Sequence, residues 1–547
     1  MSSYRILALI GLLVICLTAF AVKPKLEINF QDKSTVKGVV NLSTTVVTNL
    51  TVISVTFYVD DDVRYVDQST PYEYNWDTVA EKEGDHVLTV AVNTDDGLSE
   101  KFLYNIKIDN DISKGMDYFL GATSDLLHES KWDEAILSAR CALKVQEGYV
   151  PALLLLARAQ FGKGNIPDAR LNLEQALFSE PKNIEAIELM TQVLLRDAFN
   201  AKSKDEEKDK FIKAVKSRQK QLDIQIEAAK TDKDPSRLFE LEWMVGNYSL
   251  TWQPLKDLTL KNPKDTLNFN RLSYAYLCSG KVTDASRIAN QMVKRGIDDE
   301  YTHSVLAVVG ALEGDEAVAD KEIQAAAKIN GSNPVIKLAQ AYLACQKHNW
   351  PSVIALTTSL INDNFTYPEV YYYQMVAYGE MGDWDRAREA FRSAVFQEPA
   401  MVELYIQRGY ENLRDMHIEG YTDLIINAKS YFQIAVTTRE NSADALIGQA
   451  LTLATNNEIK EAVKYIDGAL KLGSNRAWVY IASASILQKA KLPDRAEAVQ
   501  KKAYSFDEEH VSGMIPYNLV PAFQYVRKWG RPPVMIRPLS ASLTVGQ

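Results

Sequence analysis

The chain has 547 residues, 71 acidic against 61 basic side chains, a formal net charge of −10 and 46% hydrophobic residues. Length alone points to three or four domains, and 24% charged residues exclude a wholly disordered chain. With acids in excess, no global basic field exists to draw nucleic acid, and 4 cysteines with 6 histidines leave little scope for metal chemistry.

Residues 1–21 read as an export signal. Arg5 supplies the positive start, Ile6 to Leu17 is an apolar run, and Ala19-Phe20-Ala21 is a small-x-small cleavage site. The alternative is an uncleaved anchor, because the apolar stretch from Ile6 to Val22 is 17 residues, the lower limit for spanning a bilayer. Membrane contact is expected only in that case. Cleavage leaves Cys141, Cys278 and Cys345, an odd and sparse set that is no disulfide framework. Each lies in an apolar helical pattern and is expected to be a buried, inert thiol.

Residues 22–110 read as strands. Alternation is plain in Val52-Ile53-Ser54-Val55-Thr56-Phe57-Tyr58-Val59 and in Val87-Leu88-Thr89-Val90-Ala91-Val92. Turn clusters fall at Asp60-Asp61-Asp62, Glu83-Gly84-Asp85 and Asp95-Asp96-Gly97, which predicts a β-sandwich. Phe57-Tyr58-Val59-Asp60, Pro71-Tyr72, Trp76-Asp77-Thr78 and Gly84-Asp85-His86-Val87-Leu88 together resemble a bacterial Ig-like domain. Asp62 stands where that family often has a hairpin glycine. The resemblance implies a spacer or adhesive module without catalysis. The acidic run at 60–62 reads as a solvated hairpin tip, since no second acidic cluster completes a calcium site. Trp76 reads as core.

From 111 to 510 the hydrophobic period becomes helical, and a longer period overlies it. Small residues recur at Ala135, Ala169, Ala285, Ala319, Ala387, Ala428, Ala462 and Ala496, with four intervals of 34 residues and Val353 in one middle slot. Tyr371, Tyr378, Gly382-Asp383-Trp384, Ala387, Phe391, Ala394 and Pro399 are similar to a tetratricopeptide repeat unit. The resemblance implies nine or ten helix pairs stacked as an α-solenoid. The expected fold is therefore multidomain, an all-β Ig-like sandwich followed by an all-α solenoid. Two places depart from the period. Lys202 to Asp234 carries a charged helical run, Glu206 to Lys230, expected to present a solvated face rather than a docking projection. Asp415 to Asp423 is expected to be a lengthened loop between two helices of one unit.

By the same resemblance, first-helix positions line a groove that holds a protein or peptide. The slots so inferred are Leu154, Arg158, Asn270, Tyr274, Ser304, Val308, Tyr372, Val376, Ile447, Leu451, Trp478 and Ile481. They are mainly apolar, and pairs of basic residues for clamping a terminal carboxylate are absent from them. Either they bind an apolar peptide or partner helix, or neighbouring repeats, the Ig-like module or the chain's own tail bury them. Residues 511–547 contain four bases (Arg527, Lys528, Arg531 and Arg537) and no acid. A capping helix at Val520 to Trp529 and a basic extended tail are expected there, the tail able to dock on the acidic body.

The sequence offers no catalytic constellation. His86, His128, His303, His348, His417 and His510 are isolated, and there is no nucleophile elbow, phosphate-binding glycine loop or Cys-x-x-Cys. No cofactor or nucleic-acid partner is expected. The reading is an exported, non-enzymatic scaffold for protein or peptide partners in the cell envelope. The alternative is a surface adhesin or polysaccharide binder that uses the Ig-like module, with the solenoid as stalk.

Overall fold

The computed structural model describes residues 23–232, 237–238, 241–242, 248–419, 424–439, 441–474 and 476–506, without the side chains at 204–205, 249–250 and 417–419. The expected export signal, capping helix and basic tail lie outside these residues. The chain divides into two compact units, Met1–Pro181 and Lys182–Gln547.

The first unit begins with a sandwich. One sheet orders β1 (Lys25–Ile28), β3 (Val39–Val47) and β6 (Tyr72–Asp77). The other orders β2 (Thr35–Val36), β8 (Ser99–Ile108), β7 (Gly84–Thr94), β4 (Val52–Val59) and β5 (Asp62–Asp67). All pairings are antiparallel except β2 with β8. Alternation sends Phe57, Val59, Leu88, Val90 and Trp76 into one core between the sheets. Trp76 is a core residue, as expected, and its indole N–H points to Glu81 Oε1 at 3.4 Å.

Four helices complete this unit: α1 (Met116–His128), α2 (Trp132–Val145), α3 (Val150–Lys163) and α4 (Ile166–Ser179). Val79, in the turn after β6, shares an apolar cluster with Phe119, Cys141, Ala142 and Ala152. Arg140 Nη2 lies 2.6 Å from Asp77 Oδ2, and Lys144 donates to the Glu81 carbonyl at 2.7 Å. The sandwich and the first two helix pairs are thus one compact body, and the division between units falls inside the helical array. Burial pushes the Cys141 thiol up to about 11, which keeps it protonated and unreactive.

The Asp60–Asp62 run is a hairpin tip. Asp60 and Asp61 both take positive φ, 51° and 67°. Asp60 Oδ1 accepts the Val87 N–H at 2.9 Å, and Oδ2 lies 2.6 Å from His86 Nδ1. The other ring nitrogen of His86 lies 2.8 Å from the Lys82 carbonyl. Both nitrogens face acceptors, so only the protonated ring satisfies both bonds. Burial works against that charge, but the Asp60 and Lys82 bonds outweigh it and raise the His86 value. Burial likewise opposes the Asp60 charge, yet the Val87 and His86 bonds hold its carboxyl below the usual range. A raised His contributes fully below its unfolded value and loses its contribution as pH rises through its folded value. A depressed Asp contributes above its unfolded value and loses its contribution as pH falls. Protection of the β7 amides, as exchange relative to the intrinsic rate at each pH, is therefore expected to be greatest between about pH 4 and pH 6.5 and to fall above that window. His86→Gln should flatten the alkaline limb, and an unchanged profile would refute the pair.

The second unit contains α5 (Ile184–Phe199), α6 (Lys204–Thr231) and α7 (Tyr248–Lys261). Seven helix pairs follow. They are α8 (Thr266–Cys278) with α9 (Val282–Arg295), α10 (Glu300–Leu312) with α11 (Glu316–Asn330), and α12 (Pro334–Gln346) with α13 (Trp350–Asn362). Next come α14 (Pro368–Glu380) with α15 (Trp384–Gln397), and α16 (Val402–Glu419) with α17 (Leu424–Thr438). The last are α18 (Ala443–Thr455) with α19 (Ile459–Lys471), and α20 (Ala477–Lys489) with α21 (Pro493–Tyr504). The 34-residue period has a structural cause. Ala135, Ala169, Ala285, Ala319, Val353, Ala387, Ala462 and Ala496 each stand fourth in the second helix of a pair, and all are buried. A larger side chain there would hold the two helices apart. The turn before six of these second helices carries one left-handed residue, at 34-residue spacing from 280 to 382 and again from 457 to 491. Gly280, Gly314 and Gly382 fill it, and His348, Asn457 and Lys491 adopt it without being glycine. Asp315, Asp383 and Asn349 then cap second helices, their side chains accepting from Val318, Arg386 and Ser352 N–H groups.

The insertion at 415–423 is not simply a loop, since α16 continues through Glu419 and only 420–423 lie outside the described residues. The charged run does present a solvated face, with Lys213, Lys216, Lys220, Asp223 and Glu227 exposed, but another face of the helix is buried. Phe211, Val215, Leu222, Ile226 and Ala229 form a buried stripe along α6, with Arg218 in the remaining slot. Spacings of three and four residues put all six on one face.

The stacking also leaves marks at close approaches. Phe432 on α17 is fully buried between Gly409 of α16 and Gly448 of α18. A methyl group at Gly448 would lie 2.0 Å from the Phe432 ring. Gly448→Ala is expected to destabilise the unit by about 1–3 kcal/mol through overpacking. Adding Phe432→Leu should recover part of that loss in urea denaturation. No recovery would mean the penalty has another origin.

Candidate functional site

The sequence-inferred groove slots all fall on first helices, but they do not form an open groove. Asn270, Tyr274, Ser304, Val308, Tyr372, Val376, Ile447, Leu451, Trp478 and Ile481 in the second unit are all buried, and so is Leu154 in the first. Arg158 is exposed. Asn270 Nδ2 donates to Asp299 Oδ2 at 2.7 Å, and its carbonyl oxygen accepts from Thr302 at 3.1 Å, which ties α8 to the start of α10. Trp478 meets Tyr410 edge-on, ring centroids 5.0 Å apart, so first helices two pairs apart touch each other. The second unit also folds back on itself. Lys281, in the turn between α8 and α9, donates to the Gly473 carbonyl after α19. The Arg439 guanidinium lies 5.2 Å from the Tyr248 ring centroid. These long-range contacts enclose the first helices.

Helix α6 reaches across the same unit. Arg218 makes a forked pair with Glu398, Nε–Oε1 3.1 Å and Nη2–Oε2 2.8 Å. Gln219 donates to the Thr437 carbonyl at 3.2 Å. Glu207 accepts from Arg392 at 3.1 Å. Phe211 packs edge-on against Phe391 at 5.9 Å. The residues joined are 180 to 218 positions apart in sequence.

Between α6 and the helices α15, α16 and α17 this docking leaves a crevice of about 490 Å³. That is within the usual range for ligand pockets. Its apolar wall centres on Phe391, which meets Phe211, Tyr405 and Tyr431 edge-on at 5.9–6.2 Å. Trp384, nearly half exposed at the start of α15, extends this wall to the surface. Tyr405 is held by a 2.7 Å bond to the Pro399 carbonyl, and burial lifts its hydroxyl well above the ordinary tyrosine value, so it stays protonated.

The charges lining the crevice are unevenly matched. Glu411 is bound by Arg408 Nη1 at 2.6 Å and by Gln407 at 3.0 Å. Asp415 is bound by Arg414 at 2.7 Å, and Glu207 by Arg392. The acids are therefore neutralised within the protein. Burial opposes the Arg408 charge, but Glu411 and Tyr431 outweigh it and raise its value, so the guanidinium stays charged. Its Nε–H is buried without an acceptor, as is that of Arg392. Lys208 and Arg388 also line the crevice, and neither has a polar partner among the described residues. The space thus combines aromatic surface with spare cationic donors.

The remaining sequence candidates stay structural. His303 is buried between Glu322 and Asp298, 2.6 and 2.9 Å from its two ring nitrogens. His348 occupies a left-handed turn slot. Among the described residues no group of three His, Cys, Asp or Glu side chains could hold a metal ion. Cys141, Cys278 and Cys345 are thiols and not disulfides. No described helix is long and apolar enough to cross a membrane. The crevice was missed in sequence because its two sides lie far apart in the chain. The one local signal for it was the apolar stripe on α6, hidden among charges.

Comparison with known proteins agrees with the front sandwich. The profile of a bacterial Ig domain family matches residues 25–90. None of the curated proteins matches the chain. Among solved structures, fibronectin(III)-like modules of Clostridium thermocellum CbhA align at 24% identity over 16% of this chain and 98% of theirs, with a TM-score of 0.14. The APC/C hetero-tetramer Cut9–Hcn1 aligns at 14% identity over 77% of this chain and 95% of its own, with a TM-score of 0.35. The chain thus joins an Ig-like sandwich to an all-α array of paired helices.

Proposed function

We propose that the protein is an exported, non-enzymatic scaffold that holds a protein or peptide partner in the cell envelope, and that the partner is seated at the crevice beside α6. The observation that supports this most is the crevice itself, which presents an aromatic wall beside Lys208 and Arg388, two cations with no internal acceptor among the described residues. The inferred slots on the first helices support it less, because their side chains already pack against each other. No described constellation pairs a nucleophile with a base, and the tyrosine hydroxyl lining the crevice at 405 is committed to a carbonyl. Export rests on Arg5, the apolar run and Ala19-Phe20-Ala21.

A photocrosslinking residue at position 384 in the native host tests the reading. A discrete adduct from 384 and none from exposed position 502 is the expected result. Equal capture from both positions, or none from 384, would overturn the site. N-terminal sequencing of the protein recovered from the envelope should begin at Val22, and recovery in the cytoplasm with Met1 retained would overturn export.

A further inference from the structure

We infer that the crevice beside α6 recognises an acidic peptide segment that carries an aromatic residue. The inference rests on the proposed scaffold function and names the chemistry of its partner. Three observations carry it. Every described acid lining the crevice already has an internal cationic partner, so an added anion meets little repulsion. Two cationic side chains lining the same space, Lys208 and Arg388, retain their donors, since neither has a polar partner among the described residues. A ligand carboxylate would supply them with an acceptor. Finally, the wall between these donors is aromatic, with Phe391 at its centre and Trp384 at its open end. An aliphatic anchor would fill such a wall, but an aromatic one also gains edge-to-face contacts of the kind Phe391 already makes with Tyr405 and Tyr431.

The arrangement differs from a clamp for a terminal carboxylate on the first helices. The cations come from α6, α15 and α16, and they surround an aromatic floor. A side-chain carboxylate flanking a phenyl or indole ring therefore fits better than an isolated chain end. Lys208 and Arg388 lie toward solvent and should set the rate of encounter, with a marked salt dependence. Arg408 is held by Glu411 and should set orientation.

Fluorescence anisotropy with the full chain tests the inference. The probe is a fluorescein-labelled nonapeptide library with a fixed Glu-Phe-Glu core and degenerate flanks, and its twin has Gln-Phe-Gln. The acidic library is expected to bind at least about tenfold more tightly than the amide twin. The Lys208→Gln/Arg388→Gln double variant, altered only at solvent-facing positions, should lose about tenfold for the acidic library and nothing for the twin. A third library with Glu-Ser-Glu should lose most of its binding. Equal binding of the acidic and amide libraries would overturn the anionic preference while leaving the scaffold reading intact. No binding of any library would overturn the acidic-aromatic assignment, and the adduct from position 384 decides the scaffold reading separately. Tryptophan emission and melting of the double variant, matching those of the parent protein, confirm that only binding was altered.

Discussion

Replacing Trp478 with serine is expected to destabilise the second unit by about 3–5 kcal/mol, with no separable effect on partner binding. Trp478 is almost fully buried and lies edge-on to Tyr410. Its indole N–H donates to Asp444 Oδ1 at 3.0 Å, the oxygen that Arg476 also binds, and the Asp444 carbonyl accepts the Tyr410 hydroxyl at 2.9 Å. Serine would leave a cavity among three helices and could not span to Asp444. Tyr372→Ser should cost a similar amount, because Tyr372 is equally buried and packs edge-on against Tyr373 at 5.3 Å. Urea denaturation of the full chain measures both. If stability changed by less than about 0.5 kcal/mol while partner binding was lost, the first helices would line an open groove after all.

The difference between groove and core was not legible in sequence for a physical reason. Positions that face a ligand groove and positions that face a second layer of the same protein are both apolar at the same spacing. One clue was present. On α20 every residue from Ala477 to Leu487 is buried, and α10 is buried from Tyr301 to Gly310. A helix apolar on all sides needs cover on all sides. What supplies the cover, such as the contact of Lys281 with the Gly473 carbonyl, depends on how seven pairs add up in space, and no local window contains it. By contrast, the pairing of helices was fully legible. The alanine that recurs every 34 residues marks a close backbone approach that each pair makes by itself. The sandwich was legible for the same reason, since strand alternation and turn clusters are local.

The α6 helix shows the limit most clearly. Its sequence from Lys204 to Thr231 is dominated by charge, and a mixed-sign helix is usually solvated. Beneath the charges runs a stripe at three- and four-residue spacing, and one slot of that stripe holds Arg218. An arginine at a buried slot requires a carboxylate there, and Glu398 sits 180 positions away. Composition averages over the faces of a helix, while docking depends on one face alone.

That dependence gives the last expectation. Glu398→Ala should destabilise the docked α6 by about 3 kcal/mol, the lower end of the range for a broken buried pair, because both side chains keep some contact with solvent. The loss has two parts. Arg218 would lose its forked carboxylate partner, and the buried Ala400 N–H, which Glu398 accepts at 2.9 Å, would lose its acceptor. Arg218→Ala removes only the first and should cost less. The double replacement Arg218→Met/Glu398→Leu, apolar and similar in size, should recover the ion-pair part of the loss but not the Ala400 bond, since an ion pair and a packed apolar pair are often close in free energy while leucine accepts no hydrogen bond. Hydrogen exchange over residues 204–231 reads the effect locally. Fastest exchange in Glu398→Ala, with smaller increases in Arg218→Ala and in the double variant, would establish that this pair holds the helix. Since α6 contributes Glu207, Lys208 and Phe211 to the crevice, peptide binding should fall in the same order. Binding that falls while exchange stays unchanged would mean that Glu398 acts on the ligand directly and not through α6.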